Sequence, residues 1–335
     1  MTRLNGSVRL TLDPREAAIA LREGRLAVLP TETVYGLGAR ADLPRAIARV
    51  YATKGRPADH PLIVHLLDAS ALPAWGRDYP AYAQALAEQC WPGPLTLVVP
   101  RTARAGDFVT GGQDTVALRV PSHPGMRAVL EHLANSQADP AIGIAAPSAN
   151  RFGRVSPTSA AHVREELDGL LHDDDVLLDG GISSVGVEST IVDCTGDVPV
   201  ILRPGAVSAD DVRQVTGLAV GTHSQVRAPG TLASHYAPQA TVRIVDEAAV
   251  ASLGSTSTTD ADATIGLLAL DAIATPVGVV RLSAPTTAAD YARSLYSSLH
   301  EADALGLTSV LAVPPTADGI GAAVIDRLTR AAAGQ

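Results

Sequence analysis

The chain has 335 residues, 46% of them hydrophobic and 18% charged, enough to bury a sizeable core and to form two domains. Its formal charge is −9. Residues 241–335 carry five Arg against ten Asp plus Glu, leaving 21 basic against 25 acidic residues in 1–240, a balance that argues against a protein devoted to holding a nucleic-acid backbone.

No apolar run approaches the ~18 residues of a membrane span, and MTRLNGSVRL lacks the apolar core of a signal peptide, so the expected location is the cytoplasm. Cys90 and Cys194 lie far apart with no CxxC or His cluster nearby and are read as buried small apolar residues. With aromatics at 3%, Val, Leu, Ile and Ala must fill the interior, which suits the doubly buried strands of an α/β fold.

Asp13-Pro14 opens a helical pattern through Glu23, with Asp13 as cap and Pro14 at the first helical position, and Gly24 ends it. Arg25 to Pro30 reads as a buried strand delivering Thr31, Glu32, Thr33 and Tyr35 to its carboxyl end, where α/β folds place ligands. Pro44 to Thr53 is a second helix, followed by Lys54-Gly55-Arg56-Pro57. Lys54 is the only lysine beside 25 arginines, which points to a role for a compact ammonium that a planar guanidinium cannot fill.

Further strands are expected at Pro61 to Leu67 (His65 near its end), Leu95 to Val99, Val116 to Val120, Ile142 to Ala145, Val176 to Leu178 and Ile191 to Asp193, with another ending at Arg203. Helices are expected at Pro80 to Cys90, Ser159 to Leu171 and Ser208 to Val215. Arg119 lies in an apolar run, and a buried guanidinium needs an anion or several acceptors. The acidic run Asp173 to Asp175 reads as a solvated turn.

The first domain is taken as 1–217. Residues 218–240 form an aperiodic linker whose Arg227, His235 and Tyr236 suit a lid over a binding site as well as a plain tether. Residues 241–335 form a smaller domain, with strands Val242 to Val245, Ile265 to Ala269, Val277 to Arg281 and Val310 to Val313 and helices Ala288 to Leu305 and Gly321 to Ala333, which predicts a small open parallel sheet. Ser252 to Ala261 is expected to be an exposed loop.

Most polar residues singled out lie at carboxyl ends of apolar strands and could converge on one crevice. Its candidates are cations (Lys54, Arg56, Arg119, Arg203), hydroxyls (Thr31, Thr33, Thr115, Ser148, Ser156, Ser189) and a few acids or bases (His60, His65, Glu32, Glu188). The chain has no GxSxG, HExxH or Walker loop. Such a site suits nucleotidyl or phosphoryl transfer, which depends on positioning and charge neutralisation.

PTETVYGLG, KGRP followed by PLIVH, TVALRVP, APSAN, GVESTIVD, LRPG and HYAP occur in the order seen in the YrdC-like family, and the chain resembles its two-domain threonylcarbamoyl-AMP synthases. That resemblance implies a twisted open α/β sheet with a concave cavity (YrdC-like), followed by a linker and a small Rossmann-like domain. It also implies a nucleotidyltransferase that joins L-threonine, bicarbonate and ATP, with magnesium carried by ATP, into threonylcarbamoyl-AMP and pyrophosphate, for transfer by a partner complex to certain transfer RNAs.

Carried onto this sequence, the pattern places threonine at Thr33, His65, Arg119, Ala146 and Ser189. It places ATP at Lys54, Arg56, His60, Thr115, Ser148, Ser156, Arg203 and Tyr236, with Lys54 and Arg56 acting on the phosphates. His60 departs from the family's usual asparagine, so nucleotide binding is expected to weaken or become sensitive to pH. The competing readings are a non-catalytic RNA-binding maturation factor and carbamoyl transfer from carbamoyl phosphate, as in hydrogenase-maturation proteins. Those proteins carry further domains and zinc-binding cysteines that this sequence lacks.

Overall fold

Short runs rich in Val, Leu, Ile and Ala make strands of only two to six residues, most of them buried on both faces. The computed structural model describes residues 8–231, 235–253 and 264–333. The strands of the first region are β1 (Arg9–Thr11), β2 (Ala27–Leu29), β3 (Gly36–Arg40), β4 (Ile63–His65), β5 (Leu95–Pro100), β6 (Thr115–Arg119), β7 (Ile144–Ala145), β8 (Val176–Leu178), β9 (Thr190–Asp193) and β10 (Val200–Arg203).

They form one ten-stranded sheet in the order β1-β8-β2-β3-β7-β4-β6-β5-β9-β10. It is mixed. β4 runs parallel to β6 with His65 beside Arg119, while β7 is antiparallel to both β3 and β4. The register brings His65, Arg119 and Ala146 to one end of the sheet, next to the Thr31–Val34 loop that follows β2.

Helix Pro14–Arg22 starts as expected, with Asp13 accepting from the Arg15 N–H. Helix Pro44–Lys54 stops at Gly55, whose φ of 62° is open to glycine, and the stop fixes Lys54 and Arg56 at its carboxyl end. Helix Pro124–Gln137 has no counterpart among the sequence expectations. Its stripe of Met126, Val129, Leu130, Leu133 and Ala134, introduced by Pro124, packs against helix Pro14–Arg22. The helix expected from Ser159 to Leu171 spans only Ala160–Leu167, capped by Ser159.

The acidic run corrects another expectation. Asp175 is fully buried; its Oδ1 accepts from the Leu26 N–H at 2.9 Å, and its Oδ2 accepts from the His172 N–H at 2.9 Å and from Arg49 at 2.7 Å. It ties the turn to β2 and the helix before Lys54. Cys194 is buried and Cys90 half-buried, and both thiols are free. Burial pushes both thiols up.

The second region forms the expected parallel sheet. Its strands β11 (Thr241–Ile244), β12 (Ile265–Leu268), β13 (Val279–Ser283) and β14 (Ser309–Ala312) lie in the order β11-β14-β12-β13. Helix Glu247–Leu253 takes in the start of the expected Ser252 to Ala261 loop, and the rest of that loop lies outside the described residues. Helices Ala288–Ala304 and Gly321–Ala332 carry Tyr291, Leu295, Tyr296, Val324 and Leu328 into a core shared with Val34, Val155 and Val187 of the first region. At Gly186 (φ 83°) a Cβ would stand 2.4 Å from the Arg293 Cα, so only glycine lets this loop meet the helix.

The described residues of the linker are pinned at several points. The Gln113 side-chain amide pairs with the backbone of Arg227 in both directions (2.8 and 3.0 Å), Ser224 Oγ donates to Asp193, and Ala237 N–H donates to the Gly153 carbonyl. Among the described residues no helix is long and apolar enough to cross a membrane.

Candidate active site

A cavity opens where the strand ends of the first sheet meet the linker. Thr31, Thr33, His65, Arg119 and Ala146 form one end. Arg56, Ser148, Arg203, Gly230, His235 and Tyr236 form the other, and Glu188 and Ser189 also reach the wall.

At the first end, Arg119 comes from the carboxyl end of β6. Its Nη2 lies 2.7 Å from Glu32 Oε1, its Nη1 donates to Thr33 Oγ1 at 2.9 Å, and its Nε donates to the Gly93 carbonyl at 3.2 Å. The two hydrogen bonds use two of the five guanidinium N–H groups, and Nη2, ion-paired with Glu32 but without a hydrogen bond, keeps its donors for a ligand carboxylate. Burial pushes the Glu32 carboxyl up, but the guanidinium beside it outweighs this and holds it below the usual range.

His65 Nδ1 is 3.3 Å from the Ile144 carbonyl. A carbonyl only accepts, so Nδ1 carries the proton and Nε2 is left as an acceptor. Complete burial, reinforced by Arg119, lowers this imidazole to about 3 and keeps it neutral.

At the other end, Arg203 donates from Nε and Nη2 to the Ser189 carbonyl (3.1 and 2.9 Å) and from Nη1 to the Pro229 carbonyl of the linker (3.0 Å). Arg56 donates to the Pro61 carbonyl, and burial lowers its guanidinium to about 10. Its Nε is buried without a hydrogen-bond partner.

Tyr236 has a φ of 63°, unusual for a bulky side chain, and its buried hydroxyl also has no partner. Gly230 faces that hydroxyl, and a Cβ there would come within 2.3 Å of it. The strained tyrosine and the glycine opposite it give the linker a built place over the cavity.

Two parts of the chain match family models: residues 19–205 match Sua5_yciO_yrdC, described as telomere recombination, and residues 207–333 match the C-terminal domain of threonylcarbamoyl-AMP synthase. A threonylcarbamoyl-AMP synthase of Pyrococcus abyssi is 37% identical over 95% of this chain and 93% of its own length. The chain belongs to the two-domain threonylcarbamoyl-AMP synthase family.

The Bacillus subtilis threonylcarbamoyl-AMP synthase is 41% identical over 70% of this chain and 68% of its own length. The crystal structure of P. abyssi Sua5 complexed with L-threonine is 36% identical and aligns with a TM-score of 0.84 over 98% of this chain and 97% of that one. A P. abyssi Sua5 variant with a histidine and the adjacent tyrosine both changed to alanine aligns equally well, at 34% identity over 98% and 96% of the two chains.

Among the residues carried over from the family pattern, the structure brings Thr33, Arg56, His65, Arg119, Ala146, Ser148, Ser189, Arg203 and Tyr236 to the cavity wall. Lys54, His60, Thr115 and Ser156 stand outside it. Lys54 is buried, and its ammonium donates to the Ser148 carbonyl at 2.5 Å and to the Asn150 carbonyl, behind the wall. Burial, with Arg56 adding repulsion, lowers it well below the usual lysine range.

Thr115 begins the strand that Arg119 ends, so the extended rise sets them about 13 Å apart. Ser156 Oγ donates to Glu188 Oε1 at 2.6 Å. His60 meets Phe152 edge-on at 5.4 Å and borders a separate recess with Asp59 and Arg227; burial and then Arg56 lower its imidazole, so it is neutral at pH 7.

Two further residues reach this region from the second domain. Arg327 and Tyr296 both bond Glu188, and neither was singled out from the sequence. The signal for Arg327 was available: it sits on the apolar stripe Val324, Leu328 and Ala331, the same kind of misplaced charge that marked Arg119.

Proposed function

We propose that this chain is an L-threonylcarbamoyladenylate synthase, forming threonylcarbamoyl-AMP and pyrophosphate from L-threonine, bicarbonate and ATP, and that it acts in the cytoplasm. The observation that carries this reading is one cavity with Arg119, its Nη2 free of hydrogen bonds, at one end and Arg56 and Arg203 at the other. An amino-acid carboxylate and a polyphosphate can therefore lie in it together. Glu188 on the wall and Glu32 beside Arg119 are each paired with a guanidinium, so the wall offers phosphates cations.

In this reading Arg119 holds the α-carboxylate and Thr33, Ala146 and Ser189 frame the side chain. Neutral His65 is too weak a base to remove a proton, but its Nε2 accepts a hydrogen bond from the amine or hydroxyl. The unprotonated amine adds to the carbon of carbon dioxide, losing a proton to solvent, or to that of bicarbonate with loss of water, to give a carbamate. One carbamate oxygen attacks the α-phosphorus, the bond to the bridging oxygen breaks, and pyrophosphate leaves with that electron pair. Arg56 and Arg203 neutralise charge on the phosphates, Lys54 joins them by leaving its two backbone carbonyls, and magnesium arrives with ATP. Thr115, Ser148, Ser156, His60 and Tyr236 complete the nucleotide side in this assignment, and a partner complex takes the product to transfer RNA.

Mass spectrometry of the product formed from ATP, bicarbonate and each of several amino acids tests the reading. Threonylcarbamoyl-AMP from threonine alone is expected. Turnover of carbamoyl phosphate instead, or salt-sensitive RNA binding with no ATP turnover, would overturn it. Lys54→Ala is expected to lower threonine-dependent pyrophosphate release by about a hundredfold or more, and near-normal release would remove the phosphate role of the lone lysine.

A further inference from the structure

Arg327 has no part in that chemistry, yet all three of its guanidinium nitrogens are bonded beside the cavity. It has no exposed surface. Its Nε donates to Glu188 Oε2 at 2.8 Å, its Nη2 to the Pro204 carbonyl at 3.1 Å and its Nη1 to Asp326 at 2.5 Å. The guanidinium lies over the ring of Tyr236, 5.2 Å from the centroid.

Apart from Asp326, these contacts adjoin the cavity: Glu188 and Tyr236 are on its wall, and Pro204 follows Arg203, which is. Glu188 is also held by Ser156 at 2.6 Å and by the Tyr296 hydroxyl at 2.8 Å. One fork from the second domain thus reaches two strand ends of the first domain and the linker between them. Docking alone would not need it, because a buried ion pair contributes little stability that a well-packed apolar side chain would not.

We infer that Arg327 is a positioning residue: the second domain supplies its guanidinium to set Glu188, the Arg203-Pro204 turn and Tyr236 where the nucleotide half of the cavity needs them. The word nucleotide rests on the function proposed above; the positioning does not. The second domain is then part of the active-site architecture, and its docking is a condition for an ordered linker.

The test uses the full chain with Arg327→Met, which keeps most of the packing and removes the fork, Arg327→Lys, which keeps the charge, and Tyr296→Phe, which removes one hydroxyl. For Arg327→Met the KM for ATP is expected to rise about tenfold while the KM for threonine stays within about twofold. Arg327→Lys and Tyr296→Phe should fall between that variant and the wild type.

Glu188 provides a second readout. Burial pushes its carboxyl up, and Arg327, Arg203 and Ser156 outweigh this, bringing it to about 2. Without Arg327 the carboxyl rises, so the acid limb of the rate should move to higher pH, and adding Glu188→Gln should abolish that movement. Ser156, Arg203, His235, Tyr236, Tyr296 and Arg327 are the groups that face this carboxylate; His235, held at about 3, is the one that titrates in the acid range, and the Glu188→Gln background separates its contribution from that of the carboxylate.

Amide hydrogen exchange supplies the third readout and requires no turnover. Residues 226–231 and 235–240 should lose protection in Arg327→Met while the second sheet keeps its own. ATP KM and linker exchange within about twofold of wild type would overturn the inference, as would a loss of protection spread evenly through the second domain. A wild type that makes no threonylcarbamoyl-AMP would overturn the proposed function, and the exchange result would still decide the role of Arg327.

Discussion

Two buried carboxylate–guanidinium pairs flank the cavity, Glu32 with Arg119 and Glu188 with Arg327, at 2.7 and 2.8 Å. In both, burial drives the carboxyl up and the guanidinium brings it back down. They differ in where the arginine's remaining donors go. Arg119 lines the cavity and keeps an Nη2 that makes no hydrogen bond for a ligand; Arg327 lies off the wall, with each of its nitrogens bonded to protein. The first pair is built within one sheet and can read a substrate. The second crosses between domains and can only brace. The same chemical pair becomes a recognition element or a structural one according to whether donors are left facing empty space.

The largest effect that could break this contrast is at Arg119. Arg119→Leu leaves Glu32 buried without its counter-ion, which costs about 3–5 kcal/mol of stability. Threonine binding should also be lost. Adding Glu32→Leu should recover most of the stability, read from the urea midpoint, and none of the threonine binding, read by calorimetry. Recovery of binding in the double variant would mean that Arg119 does not read the carboxylate.

Acid unfolding sharpens the contrast next. His65, His235 and His300 are each held at about 3 by burial, below the ordinary value of 6.5. As pH falls below about 6.5 the unfolded chain takes up protons that the folded chain refuses, so stability is lost progressively between about 6.5 and 3. Glu188, depressed to about 2 from 4.5, adds its own loss as pH falls through that lower window. The urea midpoint should therefore be highest above about pH 7 and fall at pH 5 with a slope of about three protons per molecule. His65→Gln and His300→Gln should each reduce that slope by about one proton. An unchanged midpoint between pH 7.5 and 5 would show that these imidazoles titrate normally in the fold.

Much of this arrangement was readable in the sequence, for identifiable reasons. Arg119 stood out because an apolar strand leaves a charge no solvent, and β6 places it as expected. The parallel second sheet followed from strand–helix alternation, and the linker's specific residues proved to be pinned in place. What could not be read were contacts between distant segments. Nothing near Lys54 in sequence shows that the carbonyls of Ser148 and Asn150 hold its ammonium, and Thr115 shares a motif with Arg119 while the extended backbone sends them to opposite ends of a strand. Helix Pro124–Gln137 and Arg327 were legible by periodicity, since both lie on clear apolar stripes.

Tyr236 should give the smallest effect on the folded protein and the cleanest separation of recognition from bracing. Its ring is fixed by Arg327 at 5.2 Å and by Tyr296 at 5.7 Å, whereas its hydroxyl, buried at the cavity, has no partner. Tyr236→Phe keeps the ring and removes an unsatisfied polar atom, so the urea midpoint of the free protein should shift by no more than about 0.5 kcal/mol, in either direction. If the hydroxyl bonds the nucleotide, the same variant should lose about 0.5–1.5 kcal/mol of ATP affinity, roughly two- to tenfold, with threonine affinity unchanged. A stability loss equal to the affinity loss would instead assign the hydroxyl to the brace, and the division between the two ends of the cavity would have to be redrawn.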